Sequence, residues 1–291
     1  MSTSLIKGRL LQENLIPLDK SWMIRMGVLD IIHGHHDIEK FLENDTYIGD
    51  DLKALHRAAI NWRLVSPIDV GESGTLLRML RFASWKLKLK KEFVLRGTLK
   101  DRKITNNPKI IHLKQPELLK LDNGTSQWAT AAVLLGDKER LQNAPFKLQL
   151  TYEAVEHWLQ FRKQHNRWQP RYDETILKQA LTYFKILAED VRDFIPEQAE
   201  DYCFARVFGF IDADEGERRW PSLRGHESDR IDEMEKMIVA VKNHQPITSK
   251  DHRVVQALAM WAKVKKIKVV FQNKECVAKS WPQFWPMIET F

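Results

Sequence analysis

Five times along this chain of 291 residues, a short strand-like run leads into a helix start built from small, hydroxyl or acidic residues. The five are LDKSWMIR at 18–25, GESGTLLR at 71–78, NGTSQWAT at 123–130, GHESDRI at 225–231 and SKDHRVVQAL at 249–258. The first turn of a helix leaves backbone N–H groups without intrahelical acceptors, and the macrodipole adds partial positive charge there. Such starts attract anions. One alone is an ordinary cap, because Ser, Thr, Asp and Gly all cap helices. Five in one chain, four of them carrying Arg or Lys, point to a fold that aims helix N-termini at an anionic ligand.

The segments around these starts set the expected architecture. NLIPL, KLKLKKEFVLRG, KIIHL, FKLQL and KIKVVFQ read as short strands. Helical periodicity is expected near 21–33, 73–86, 126–136, 152–163, 174–192, 198–209, 227–242 and 251–263. Alternation of the two implies mixed α/β layers. No low-complexity tract, Pro/Gly-rich linker or strict repeat divides the chain.

Composition narrows the class of partner. Hydrophobic residues at 43% and charged residues at 29% belong to an ordered globular protein. An excess of Lys and Arg over Asp and Glu, 46 to 39, gives a net charge of +7 and favours anionic partners. Cys203 and Cys276 have neither metal-type spacing nor a secretory context, so both are expected as reduced thiols. The opening MSTSLIKGRLLQEN lacks a signal-peptide core, and no run approaches the roughly 18 apolar residues of a membrane helix. A soluble, cytoplasmic protein with no membrane partner is the expectation.

Read in order, the motifs resemble those of the 5-enolpyruvylshikimate-3-phosphate synthase family, from residue 14 to residue 282. IPLDKSWMIR is similar to that family's P-x-x-K-S-x-x-x-R and supplies Lys20, Ser21 and Arg25. GESGTLLR resembles N-A/S-G-T-x-x-R, with Gly74, Thr75 and Arg78, and with Glu72 in place of the family's Asn. VLRGTLKDRKI resembles V-x-G-x-x-x-x-x-R-P in a shortened form that puts Arg102 on the phosphoenolpyruvate-binding arginine and Lys103 where Pro is usual. NGTSQWATAAVLL is similar to S-S-Q-F/Y-x-S/T-A-L-L, giving Thr125, Ser126 and Gln127. LTYEAVEHW aligns Tyr152 with a family tyrosine and Gln149 with a phosphate-binding Ser. LRGHESDRIDEM, KDHRVVQALAMWA and ECVAKSWPQFW resemble L-R-x-K-E-S/T-D-R-L, D-H-R-x-A-M-A-L and C-x-x-K-T/S-F/W-P-x-F. They supply His226, Glu227, Arg230, Asp251, His252, Arg253, Cys276 and Lys279, and D-H-R followed by C-x-x-K-S-W-P-x-F is the most specific pair.

The resemblance implies an enolpyruvyl (carboxyvinyl) transferase of the shikimate pathway for aromatic amino acid biosynthesis. It would move the enolpyruvyl group of phosphoenolpyruvate to shikimate 3-phosphate, or a related acceptor, and release phosphate. No cofactor or metal is implied. Catalytic roles fall on Glu227, which shuttles a proton at C3, and on Lys20, the acid toward the departing phosphate, helped by a pKa expected to be lowered in a cationic site. Lys20, Gly74, Arg102, Gln127, Arg230, Arg253 and Lys279 would bind phosphoenolpyruvate, whose carboxylate and phosphate suit planar guanidinium forks. Ser21, Arg25, Thr125, Ser126, Gln127, Tyr152 and His226 would bind shikimate 3-phosphate. A monomer is expected.

The implied fold is two α/β domains of repeated βαβαββ-type units, reduced in size and joined by a double crossing of the chain. One domain takes 18–196; the other, truncated, takes 1–17 and 197–291. A missing unit leaves only IDADEGERRWPS between 210 and 223, with no P-D-A motif; Asp212, Asp214 or Glu215 could replace its aspartate by position. His226 stands where the family has a lysine, and an imidazole, whose unperturbed pKa is about 6.5, would offer a shorter, pH-dependent contact in place of a constant charge. These departures favour an alternative, a non-catalytic member that binds phosphoenolpyruvate or another small anion. Retention of Lys20, Glu227 and the clamp favours the enzyme. A nucleic-acid-binding reading of the positive charge has no aromatic-basic motif behind it.

Three other features have plainer readings. His33, His35 and His36 could ligate a metal, but a helix-terminal loop at Gly34 is preferred. The alternation in WKLKLKKEF is that of a half-buried strand with a basic face, in preference to a nucleic-acid patch. Most of the ten tryptophans are expected in the core.

Overall fold

A computed structural model describes residues 3–43, 48–112, 117, 125–136, 148–164, 170–188, 193–224 and 229–290. The chain divides into two compact units, Leu18–Arg171 and Met1–Pro17 with Tyr172–Phe291, and so passes between them twice. The sequence reading placed the second crossing at 196/197, whereas the compact units divide at 171/172.

The first unit is built on α2 (Lys20–Ile32), whose KSWMIRMGVLDII has apolar residues on every side and is buried along most of its length. It packs against α4 (Asp50–Trp62), α5 (Gly74–Lys86), α6 (Thr125–Leu134) and α7 (Gln149–Gln164), with α3 (Asp37–Glu43) alongside. Gly27 lets α4 come close: a Cβ there would lie 2.7 Å from the Leu55 methyls. Asp30, 3% exposed, accepts from the backbone of Ile38, from Trp158 Nε1 and from Arg162, each at 2.9 Å. One buried carboxylate thereby pins α2, α3 and α7 together.

In the second unit α12 (His252–Lys265) is the central helix, buried from His252 through Met260. It packs against α8 (Glu174–Leu187), α9 (Tyr202–Val207), α11 (Arg230–Lys242) and the 3-10 turn Lys274–Lys279. The unit also contains α1 (Thr3–Gln12), α10 (Ala213–Arg219) and α13 (Phe284–Glu289). Trp281, fully buried, donates from Nε1 to the carbonyl of Leu15 at 2.8 Å, which binds the N-terminal segment to the end of the chain.

The fold is α-rich. All eight expected helices form within a few residues of their expected spans, though the helix expected over 198–209 is confined to Tyr202–Val207. The expected βαβαββ repeats are absent among the described residues. Among the described residues two strands of two residues form, β1 (Ile68–Asp69) and β2 (Phe93–Val94), paired in parallel, and an isolated parallel bridge joins Ile247 and Phe271. Each pairing flanks a helix, α5 in one unit and α12 in the other.

Two expected strands are met in part, KLKLKKEFVLRG by β2 at Phe93–Val94 and KIKVVFQ by the bridge at Phe271; elsewhere the expectation failed because short apolar runs look alike in strands and in buried irregular segments. NLIPL turns at Asn14 (φ 52) and anchors Leu15 and Ile16 in the core. KIIHL is a 3-10 turn over Pro108–His112, and the described end of FKLQL leads into α7. In WKLKLKKEF the residues after Lys86 form the cap of α5, with Lys88 at φ 57 and the Ser84 hydroxyl donating to Leu89 O. Leu87 and Leu89 are 42% and 38% exposed, so no half-buried strand exists at 87–92. His33 caps α2, and Gly34 takes φ 72 in the loop that follows. Trp22, Trp62, Trp128, Trp158 and Trp281 are buried. Among the described residues no helix is long and apolar enough to cross a membrane.

Candidate anion-binding site

Each unit gathers its own set of the residues singled out in the sequence. In the first unit the Asp19 side chain accepts the Trp22 N–H at 3.0 Å and so fixes the start of α2. Lys20 is the first residue of that helix, and its Nζ lies 3.2 Å from Asp51 Oδ2 on α4. The lysine therefore has a carboxylate neighbour, which the expectation of a purely cationic setting left out. Arg25, one turn on, donates from Nη1 to the Ser21 carbonyl at 2.7 Å and from Nε to the Thr151 hydroxyl at 2.9 Å. That hydroxyl is 3.2 Å from the Thr130 hydroxyl, both buried. Burial lowers the Arg25 pKa to about 10 against the opposing charge of Asp19, which leaves it a cation at neutral pH. Tyr152, next in sequence to Thr151, is exposed.

A second group surrounds the start of α5. Ser73 caps the helix and Gly74 opens it. Buried Arg78 reaches back from the next turn to Gly74 O at 3.4 Å and across to Gln127 Oε1 on α6 at 2.7 Å. A side chain at residue 74 would put its Cβ 3.1 Å from Arg78 Nη1 and 3.4 Å from Arg102 Nη1, so this glycine leaves room beside two guanidinium groups. Arg102 follows the 3-10 turn Gly97–Asp101 and donates to the Thr98 hydroxyl at 3.1 Å. Gly74, Arg102 and Gln127 are thus brought together, 53 positions apart at their extremes, with Arg78 between them. Ser126 is exposed near the start of α6, and Thr125 is its first residue.

In the second unit Asp251 caps α12 by accepting the Arg253 N–H at 2.9 Å and also accepts from Arg230 Nε at 2.9 Å. Arg253 is 6% exposed, and its Nη1 is buried without a hydrogen-bond partner among the described residues. Burial pushes the Cys203 thiol up to about 12, against the charges of Arg230 and Arg253 and with that of Asp251. Burial likewise pushes Cys276 up to about 12, with Asp251 and Glu275 adding to the rise and Lys279 opposing it. Lys279 ends the 3-10 turn Lys274–Lys279 that contains Cys276. Both cysteines are free thiols.

His226 and Glu227 lie outside the described residues. On either side of them Arg224 and Asp229 are joined at 3.0 Å, and Asp229 caps α11. Asp212 is engaged in capping α10 through the Glu215 N–H at 2.7 Å. Among the described residues no three His, Cys, Asp or Glu side chains form a group able to hold a metal ion.

The sequence reading missed Asp51, Thr98, Thr130 and Thr151. Thr98 carries a local signal, four residues before Arg102 in a helical turn. The other three act across long separations in sequence and carry none. No family model matches the chain, nor does any curated protein or solved structure.

Proposed function

We propose that this protein is an enolpyruvyl transferase similar to 3-phosphoshikimate 1-carboxyvinyltransferase, acting on shikimate 3-phosphate or a related acceptor in the cytoplasm. The observation that carries the reading is the cluster of Gly74, Arg78, Arg102 and Gln127 around one helix start, at the positions where the motifs resemble that family. Buried Arg253 with an Nη1 lacking an acceptor, beside Arg230 and the α12 start, supports it from the second unit. The reading takes both units as reduced forms of the family architecture, each keeping one parallel pairing around a motif-bearing helix.

In the proposed reaction an acceptor hydroxyl oxygen bonds to C2 of phosphoenolpyruvate as its proton passes to water, from which Lys20 is reprotonated after turnover, while Glu227 gives a proton to C3. The tetrahedral adduct then breaks its C2–O bond to phosphate, C3 returns a proton to Glu227, and Lys20 protonates the departing phosphate oxygen. The products are the enolpyruvyl ether and inorganic phosphate. By the resemblance, Arg102 in the first unit and Arg230, Arg253 and Lys279 in the second are the cations assigned to the carboxylate and phosphate of phosphoenolpyruvate, where they would neutralise charge that grows on the leaving group. Ser21, Arg25, Thr125, Ser126, Gln127, Tyr152 and His226 bind the acceptor.

The missing P-D-A aspartate favours the second reading, an anion-binding protein without turnover. Phosphate release from phosphoenolpyruvate in the presence of shikimate 3-phosphate separates the two. Release by wild type that is lost in both Glu227→Ala and Lys20→Ala supports the enzyme. Binding of phosphoenolpyruvate by calorimetry without release supports the second reading.

A further inference from the structure

The turn that precedes Arg102 contains a chain of hydrogen bonds running from a carboxylate to its guanidinium. Glu72, two residues before α5, accepts twice from Thr98: from the backbone N–H at 3.2 Å and from the hydroxyl at 2.9 Å. The Thr98 oxygen in turn accepts from Arg102 Nη2 at 3.1 Å. A hydroxyl has one proton to give and lone pairs to accept with. With its proton committed to Glu72, the Thr98 hydroxyl turns its lone pairs toward Arg102. The carboxylate sets the direction of the hydroxyl, and the hydroxyl holds one arm of the guanidinium.

Gly97 makes the relay possible. Its φ is +46, and a Cβ at that position would lie 1.9 Å from Glu72 Oε1. The carboxylate fills space that any side chain at residue 97 would occupy. Arg102 Nη1, the other arm of the same fork, is the group that comes within 3.4 Å of the Cβ position at Gly74.

We infer that Glu72 and Thr98 are positioning residues for Arg102, holding its guanidinium plane ready for an oxyanion at the start of α5. The inference deepens the proposed function, since it rests on Arg102 as a phosphoenolpyruvate ligand. A guanidinium makes two parallel bonds to a carboxylate or phosphate only when its plane is set, and a long side chain that is already oriented loses less entropy on binding. A carboxylate acceptor makes the Thr98 bond charge-assisted and stronger than an amide acceptor would give.

The test uses the full chain and three forms: wild type, Thr98→Val and Thr98→Ser. Calorimetric titration with phosphoenolpyruvate is expected to show affinity about tenfold weaker in Thr98→Val, the scale of one hydrogen bond to a charged group. Thr98→Ser, which restores the hydroxyl, returns affinity to the wild-type value, with thermal midpoints alike in all three. In parallel, side-chain nitrogen NMR of Arg102 is expected to show slow guanidinium rotation in wild type and Thr98→Ser and faster rotation in Thr98→Val. Rotation unchanged in Thr98→Val overturns the relay, as does equal phosphoenolpyruvate affinity in all three forms. If wild type binds no phosphoenolpyruvate, the ligand assignment fails, and the NMR comparison alone decides whether Thr98 holds Arg102.

Discussion

Replacing Asp251 with alanine removes two things at once. Its carboxylate caps α12 through the Arg253 N–H at 2.9 Å and binds Arg230 Nε at 2.9 Å, with the Asp251 side chain only 3% exposed and that of Arg230 18%. Loss of the cap costs about 1 kcal/mol. Taking the carboxylate from a guanidinium that is mostly out of water costs about 3 kcal/mol more. Together the two amount to about 4 kcal/mol, a large share of the stability of an ordinary domain. Asp251→Asn keeps an oxygen for the cap but loses the charge, so about three-quarters of the effect should persist. Urea unfolding followed by far-UV circular dichroism reads these losses as shifts in midpoint at constant slope. A loss in Asp251→Ala below about 1 kcal/mol, the range of surface ion pairs, would refute this reading of a buried pair that organises the start of α12.

Other consequences are equally direct. A Cβ at Gly216 would lie 2.2 Å from Cε2 of the fully buried Tyr202 ring, so Gly216→Ala should lower stability by about 2 kcal/mol in the same unfolding experiment. Burial raises the Asp69 carboxyl, but hydrogen bonds from Arg96 and the Gly71 N–H, with the charges of Arg57 and Arg96, outweigh it and leave its pKa below the ordinary value. Its contribution is therefore present above the unfolded pKa of about 3.9 and is lost as pH falls through the lower folded value. Wild type should be more stable than Asp69→Asn at neutral pH, and denaturation series at stepped pH should show the gap closing in acid. With both thiols pushed up to about 12, the native protein should react slowly with a thiol-specific disulfide reagent at pH 8, Cys203 more slowly than half-buried Cys276, and both quickly once unfolded.

Local signals carried most of what was legible in the sequence. Asp19, Ser73 and Asp251 each sit one residue before a helix and accept a backbone N–H within it, so the starts of α2, α5 and α12 could be read without tertiary information. Strands were legible only at Phe93–Val94 and Phe271, whereas NLIPL and KIIHL misled because Leu15, Ile16 and Ile110 pack in the core and carry no pleat that periodicity could detect. WKLKLKKEF alternates as a strand does, yet its lysines and leucines belong to a helix cap that no period encodes. At the site, residue types and order were legible, whereas Asp51 beside Lys20 and Thr151 on Arg25 depend on packing between helices 31 and 126 positions apart. Helix α4, with Asp50 and Asp51 in its first turn and an apolar stripe, carried its own signal and was passed over.

The central claim is a transfer of three carbons from phosphoenolpyruvate to a phosphorylated acceptor. Phosphorus NMR of the protein with equimolar phosphoenolpyruvate and shikimate 3-phosphate follows every phosphorus atom at once. The account predicts inorganic phosphate and a new phosphomonoester appearing in equal amounts as both substrates decline, with neither formed by Glu227→Ala. Substrate signals that stay constant beside active wild-type protein, or inorganic phosphate that grows without the new ester, would contradict it.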